Sequence, residues 1–262
     1  MAQPTATAAA DDYQRLAAEQ AIVVERLAAD IGIPAGARVL DIACGTGHAA
    51  LAAARRNAEV VGIDIDEPSI ARARFRAEAE GLSGIDFQVG DARTLPYPDA
   101  SFDVVLSTLG LVFFPDQEAA AKELARVTRP GGKIALTAYT TRSIPAQMFD
   151  LGHELQGAPI PAHPHYAWSN GPRAAALLQP YFHDVRVRHD RFETCFASAA
   201  AWTDHVAQWN PNMRKMLATR PAEFAAQWRA RAQAIMEPHN RATDGTFLAD
   251  MDYAIVTALR RP

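Results

Sequence analysis

Val39-Leu-Asp-Ile-Ala-Cys-Gly-Thr-Gly-His-Ala-Ala50 is the stretch that decides how this chain is read. It passes from an apolar run through a glycine turn into an alanine-rich segment, the pattern of a strand, a tight turn and a helix. The first N–H groups of such a helix lack intrahelical partners and its start is partly positive, so the turn suits a polar ligand group. Gly45 and Gly47 let a ligand approach the main chain with no Cβ in the way. Gly45-x-Gly47-x-x-Ala50 also fits the dinucleotide fingerprint with its permitted final alanine, so the glycines by themselves leave a dinucleotide open. Asp41, at the end of the strand, shifts the balance. A carboxylate there repels the phosphates of a dinucleotide and attracts a cation such as an amino-acid ammonium.

Further along, Glu59-Val-Val-Gly-Ile-Asp64 reads as a second strand ending in an acid. Asp64 lies where the dinucleotide fold places its ribose-binding carboxylate. Asp66 is its rival for the ribose, although it also stands where it can cap the helix that Glu67-Pro68 begins. Ile85-Asp-Phe-Gln-Val-Gly-Asp91-Ala92 is a third strand with an acid after it, and Asp91 can equally be a turn-former before Arg93. Three acids at three successive strand ends suit the C-terminal edge of a parallel sheet, where ligands bind in open α/β folds. Leu95 to Ser107 reads as a proline-punctuated loop followed by a fourth strand, a helix is expected from about Gln117 to Val127, and Lys133 to Tyr139 gives a fifth strand after the turn signal Pro130-Gly131.

Taken together, residues 36–139 resemble the class I S-adenosylmethionine-dependent methyltransferases. The resemblance rests on the Asp41 to Gly47 motif, on Val-x-Gly-x-Asp ending at Asp64, on Gly-Asp-Ala at 90–92, and on the Arg129-Pro-Gly-Gly hairpin. It departs from the family at Ala43, where the first motif glycine is replaced. The resemblance implies a doubly wound, seven-stranded Rossmann-like sheet whose last strand is antiparallel and lies between the fifth and sixth. It implies S-adenosylmethionine as cofactor, with S-adenosylhomocysteine as product. Asp41, Ala43, Gly45 and Gly47 would then surround the methionine end, Asp64 the ribose and Ile65 the adenine face. Asp91 and Ala92 would meet the adenine edge, and Ser107 would lie where the methionine portion passes toward the acceptor. The Asn-Pro-Pro-Tyr type sequence of exocyclic-amine enzymes is replaced here by Ser107-Thr-Leu-Gly, which disfavours base methylation.

The flanks are less regular. Asp11 and Asp12 are placed to cap a helix carrying Leu16, Ala17, Val23, Val24, Leu27 and Ala28, with Gly32 and Pro34 stopping it; Tyr13 is a surface aromatic or a ligand contact. Residues 1–34 are thus an N-terminal helix and 35–142 the cofactor-binding core. Residues 143–181 are a lid or acceptor loop and helix, since 143–170 is rich in proline, glycine and histidine. Residues 182–262 carry strands six and seven around a helical insertion, Ala197 to Gln233, broken at Pro211 and Pro221, which we expect to cover the acceptor.

Composition sets outer bounds. At 262 residues, 49% apolar, the chain can build a large core. A net charge of −4 with no long basic run argues against nucleic acid as partner. No run of about 18 apolar residues is present, and the first dozen residues lack a leader pattern, which points to a cytoplasmic protein away from membranes. Two cysteines, Cys44 and Cys195, make neither a disulfide framework nor a zinc site, and no metal is expected. We expect a monomer or homodimer acting on a small-molecule acceptor, aromatic or apolar. Methyl transfer from a sulfonium needs alignment and exclusion of water, and a base only when the acceptor is not already nucleophilic. His48, His163, His165 and His205 are the candidates for that base, each of them also explicable by packing or hydrogen bonding. Two other functions fit parts of the pattern. One is an NAD(P)-dependent oxidoreductase, on the glycines and Asp64, and the other is a non-catalytic S-adenosylmethionine-binding protein.

Overall fold

The computed structural model describes residues 18–159 and 166–262. Asp11, Asp12, Tyr13, Leu16, Ala17, His163 and His165 therefore lie outside the described residues. The chain forms two compact units, a larger one of Ala21–Tyr139, Pro164–Asp190 and Tyr253–Pro262, and a smaller one of Met1–Gln20, Thr140–His163 and Arg191–Asp252.

The larger unit opens with helix α1 (Ala21–Ile31), whose buried positions Val23, Val24, Leu27, Ala28 and Ile31 fall at helical spacing. Gly32 ends it in the left-handed region, φ +59°. Strand β1 (Arg38–Ile42), helix α2 (His48–Ala54), strand β2 (Glu59–Asp64), helix α3 (Glu67–Ala79) and strand β3 (Ile85–Val89) follow in alternation. Strand β4 (Phe102–Thr108) leads through a short 3₁₀ turn (Leu111–Phe113) to helix α4 (Gln117–Val127) and strand β5 (Thr128–Tyr139). Strands β6 (Phe182–Phe196) and β7 (Phe247–Arg260) complete a seven-stranded sheet in the order β3-β2-β1-β4-β5-β7-β6. The first five strands pair in parallel, with Asp41 beside Gly62 and Leu106, whereas β7 pairs antiparallel with β5, from Lys133–Leu259 to Tyr139–Tyr253. This is the doubly wound α/β class read from the sequence, with a crossover reversal between β1 and β4.

Parallel strands buried on both faces are rich in apolar residues, and the buried runs of β1 and β4 follow that rule apart from Asp41 and Ser107. Their side chains Leu40, Ile42, Val105 and Phe102 join Ile63, Leu124, Ile134, Leu136, Trp168 and Phe182 in one core. Trp168 is buried in that core and donates from Nε1 to Gln117 Oε1. Tyr166 is buried as well. Both fall in the stretch expected to be a lid, and neither is placed as a lid residue.

In the smaller unit, residues 143–155 also differ from the expected loop. Ser143 accepts a hydrogen bond from Ala146 N and starts helix α5 (Ile144–Leu155), with Pro145 in its first turn. Beyond helix α6 of the larger unit (Gly171–Leu178), the smaller unit adds α7 (Ala199–Trp209), α8 (Pro211–Ala218) and α9 (Ala222–Met236), broken near both prolines as expected. Helix α9 packs on α5 and α7, with Trp228 and Met236 fully buried. Among the described residues no helix is long and apolar enough to cross a membrane.

Candidate cofactor site at the β1 turn

The β1 turn is held from below by two acids that arrive from different strands. Gly47 precedes α2 and has no side chain with which to cap it. Asp41 supplies that cap from the end of β1, accepting from Ala50 N through Oδ2 at 2.9 Å. Its other oxygen, Oδ1, is buried with no hydrogen-bond partner, and the residue is 1% exposed. Burial, and then the charge of Asp64, push the Asp41 carboxyl up to about 8, against which the Ala50 N–H pulls it down. The structure thus places Asp41 beneath the turn, where its field is felt from above but its atoms are covered.

Asp64 reaches across from β2. Its Oδ2 accepts from Gly45 N at 2.7 Å and its Oδ1 from Asp66 N at 2.9 Å. Burial raises this carboxyl too, partly offset by those N–H donors. Asp66 does what its position suggested and caps α3, accepting from Ser69 N at 2.9 Å. Ile65 stands between them with 69% of its surface exposed, an apolar side chain at the sheet's C-terminal edge with space over it.

The turn's backbone is unusual at three positions. Ala43, Gly45 and Gly47 take φ values of +54°, +52° and +84°. Gly47 has a second reason to be glycine: a Cβ there would lie 2.8 Å from the Phe87 ring and 3.0 Å from Ala73 Cβ. The same ring fills the space above Gly62, where a Cβ would come within 2.7 Å. Phe87 on β3 is thus a packing determinant of the site that sequence reasoning passed over; its signal was an aromatic in strand register with the motif glycine Gly62.

Other expected contacts are arranged differently. Ser107 does not emerge at the strand end; it is fully buried and its Oγ accepts from Leu111 N at 3.2 Å, so it holds the turn after β4. Thr108 Oγ1 and Thr46 Oγ1 are buried without a partner. Asp91 accepts from Arg93 N and is gripped by the Arg93 guanidinium, with Nε at 2.9 and 3.0 Å from its two oxygens. Those hydrogen bonds hold its carboxyl below the usual range. Ala92 is half-buried against the core.

Among the histidines, His48 opens α2 with Nε2 buried and unpartnered. Arg76 Nη2 lies 3.5 Å from its Nδ1, and burial with the nearby arginines lowers its pKa to about 4. It is neutral at physiological pH, and its Nε2 is shielded from solvent. His205 belongs to the smaller unit, where its Nε2 lies 2.9 Å from Glu19 Oε1 and its ring stacks edge-on with Phe196. Burial raises the Glu19 carboxyl, with Thr194 and Trp202 pulling the other way.

Comparison with known proteins bears on the same segment. The family described as a methyltransferase domain matches residues 40–136, which run from β1 to β5. A Mycobacterium tuberculosis protein of uncharacterised function is 42% identical over 130 residues, 49% of this chain and 47% of its own. The 27-O-demethylrifamycin SV methyltransferase of Amycolatopsis mediterranei is 42% identical over 126 residues, 47% of this chain and 46% of its own. The chain thus spans about half the length of the curated relatives it matches. Two solved structures share the fold over nearly their whole length. The YcgJ protein of Bacillus subtilis has a TM-score of 0.59 at 20% identity, over 93% of this chain and 98% of that one. A putative methyltransferase of Bacillus halodurans has a TM-score of 0.61 at 19% identity, over 91% and 99%. Over residues 40–136 this chain is similar to the methyltransferase domain family, and its fold is that of the two solved structures.

Proposed function

We propose that the chain is an S-adenosylmethionine-dependent methyltransferase acting on a small, apolar or aromatic acceptor. The observation that carries the cofactor reading is the pair of carboxylates under the Gly45–Gly47 turn. Burial raises the cost of ionising both Asp41 and Asp64, and the charge of Asp64 adds to it at Asp41, so a cation over the turn is favoured and the two phosphates of a dinucleotide are opposed. The orphaned oxygens of Asp41, Thr46 and Thr108 add polar capacity around the ends of β1 and β4 that no protein group uses.

The residues fit the cofactor part by part. A carboxylate offers about four acceptor directions, and Asp64 spends two on backbone N–H groups, which leaves two for a pair of ribose hydroxyls. Ile65 supplies an apolar face for a purine, and Asp91 an acceptor for an exocyclic amine once Arg93 yields it. Bound there, S-adenosylmethionine supplies a methyl group on a cationic sulfur that is open to in-line displacement. The chain's own contribution is orientation and exclusion of water.

The acceptor reading rests on the exposed apolar surface after β4, where Phe113 is half exposed on the 3₁₀ turn. It is in keeping with the Amycolatopsis relative, whose name gives an O-methylation of demethylrifamycin SV. The test is calorimetric titration with S-adenosylhomocysteine, followed by mass spectrometry of a panel of phenols and hydroxylated apolar compounds incubated with S-adenosylmethionine. Absence of binding removes the cofactor assignment; binding without any 14-Da product across the panel removes the acceptor class.

A further inference from the structure

We propose that Ala43 and Gly110 form a size-matched pair that fixes the distance between the turn after β1 and the turn after β4, and that Gly110 is thereby a positioning residue for S-adenosylmethionine; the second half rests on the cofactor reading above. The two turns face each other where the strand order reverses, since β1 and β4 are neighbours whose crossovers run to opposite sides. That reversal opens the crevice in which a doubly wound sheet holds its ligand.

The backbone and the side chains are mismatched at these two positions in opposite senses. Ala43 has φ +54°, the left-handed region that glycine enters freely and alanine does not, and yet it carries a Cβ. Gly110 has φ −95° and ψ −51°, which any residue adopts, and yet it carries none. Contact explains both. A Cβ on Gly110 would sit 2.5 Å from Ala43 Cβ, 3.3 Å from Ala43 O and 3.1 Å from Ser107 Oγ. The methyl group of Ala43 occupies the room that Gly110 leaves, and removing one side of the pair frees the other.

Neither turn can retreat cheaply. Leu109, also left-handed at φ +56°, donates from N to Thr137 Oγ1 at 3.0 Å, and Leu111 N is bound by Ser107 Oγ. On the other side Cys44 N donates to Ile63 O at 3.1 Å and Gly45 N to Asp64. A methyl group added at Gly110 therefore pushes on Ala43 and, through it, on Gly45 and Asp64, the groups assigned to the cofactor.

A double-mutant cycle tests the pair, with S-adenosylhomocysteine affinity read by calorimetry and thermal unfolding read without ligand. Gly110→Ala is expected to weaken binding at least tenfold and lower the melting temperature. Ala43→Gly alone sets the reference for the cycle, and adding Gly110→Ala to it is expected to change affinity less than threefold. Parent-like binding by Gly110→Ala, or a double variant no tighter than Gly110→Ala, overturns the proposal. If Gly110→Ala does not fold, the double variant decides: folded and binding supports the pair, unfolded overturns it. If the parent itself binds no S-adenosylhomocysteine, the cofactor reading falls and takes the positioning role with it, an outcome distinct from a parent that binds and a cycle that is additive.

Discussion

Gly45 N donates to Asp64 Oδ2 at 2.7 Å, so the glycine turn after β1 is pinned to the end of the neighbouring strand by the same carboxylate that is assigned to the ribose. One side chain therefore serves shape and ligand together. Asp64→Ala is expected to remove the charge-assisted bonds to the ribose, each about 1.5–3 kcal/mol, and to weaken S-adenosylhomocysteine roughly ten- to a hundredfold or more. Asp64→Asn keeps one acceptor oxygen and should fall between the two. Isothermal titration of the three proteins decides it, and equal affinities would show that Asp64 only braces the turn.

Asp41 makes cofactor binding depend on pH. Its pKa in the free protein is about 8, so much of it is protonated at pH 7. A cation above the turn favours the ionised form, so binding should release a proton, and affinity should rise as pH goes from 6 to 8 and level off beyond. Titration in two buffers of different ionisation enthalpy measures that proton; zero release at pH 7 contradicts the reading. Stability of the ligand-free protein runs the opposite way. The folded pKa is raised from 3.8, so this contribution is complete below pH 4 and is lost as pH climbs toward 8, by at most about 1.4 kcal/mol for each unit. Asp41→Asn should flatten both pH profiles.

The strands were easiest to read where burial on both faces leaves no choice of residue. Arg38–Ile42 and Glu59–Asp64 each hold a short apolar run with an acid, Asp41 or Asp64, at or next to its end, and their bounds agree with the structure. β6 is an edge strand of fifteen residues with charged side chains such as Arg186, Arg188 and Glu193 along it, so its apolar pattern is weak. Ser143 and Pro145 are an ordinary helix start, hidden by the prolines and histidines that follow. The site's residue types were legible, but the coverage of Asp41 and Ser107 was not, because burial is set by elements far away in sequence.

Arg93 holds Asp91 through its guanidinium and its own backbone N–H, and the pair is exposed to solvent. Adenine recognition by Asp91 has to compete with that grip. Arg93→Gln is expected to tighten S-adenosylhomocysteine severalfold and to make affinity less sensitive to salt, since a screened surface pair no longer opposes binding. Asp91→Asn is expected to weaken it. Affinities measured for both variants at low and high salt separate this from a turn-forming role for Asp91, under which Arg93→Gln would loosen the loop and bind more weakly.

Trp168 offers the clearest choice between core and lid. Its Nε1 donates to Gln117 Oε1, and Gln117 Nε2 in turn donates to Phe114 O and, at 3.3 Å, to Leu111 O, so the indole anchors the turn that follows β4. All of these groups are buried or nearly so. Trp168→Phe keeps most of the apolar bulk but leaves Gln117 Oε1 without its donor, at a cost of about 1–3 kcal/mol for an unsatisfied buried acceptor. Trp168→Phe combined with Gln117→Leu removes both partners and should recover part of that loss, because no polar atom is then stranded. Urea unfolding midpoints for the single and double variants carry the test. A midpoint unchanged in Trp168→Phe would place the indole outside the core, and a double variant less stable than the sum of the singles would show that packing, not the hydrogen bond, is what Trp168 contributes.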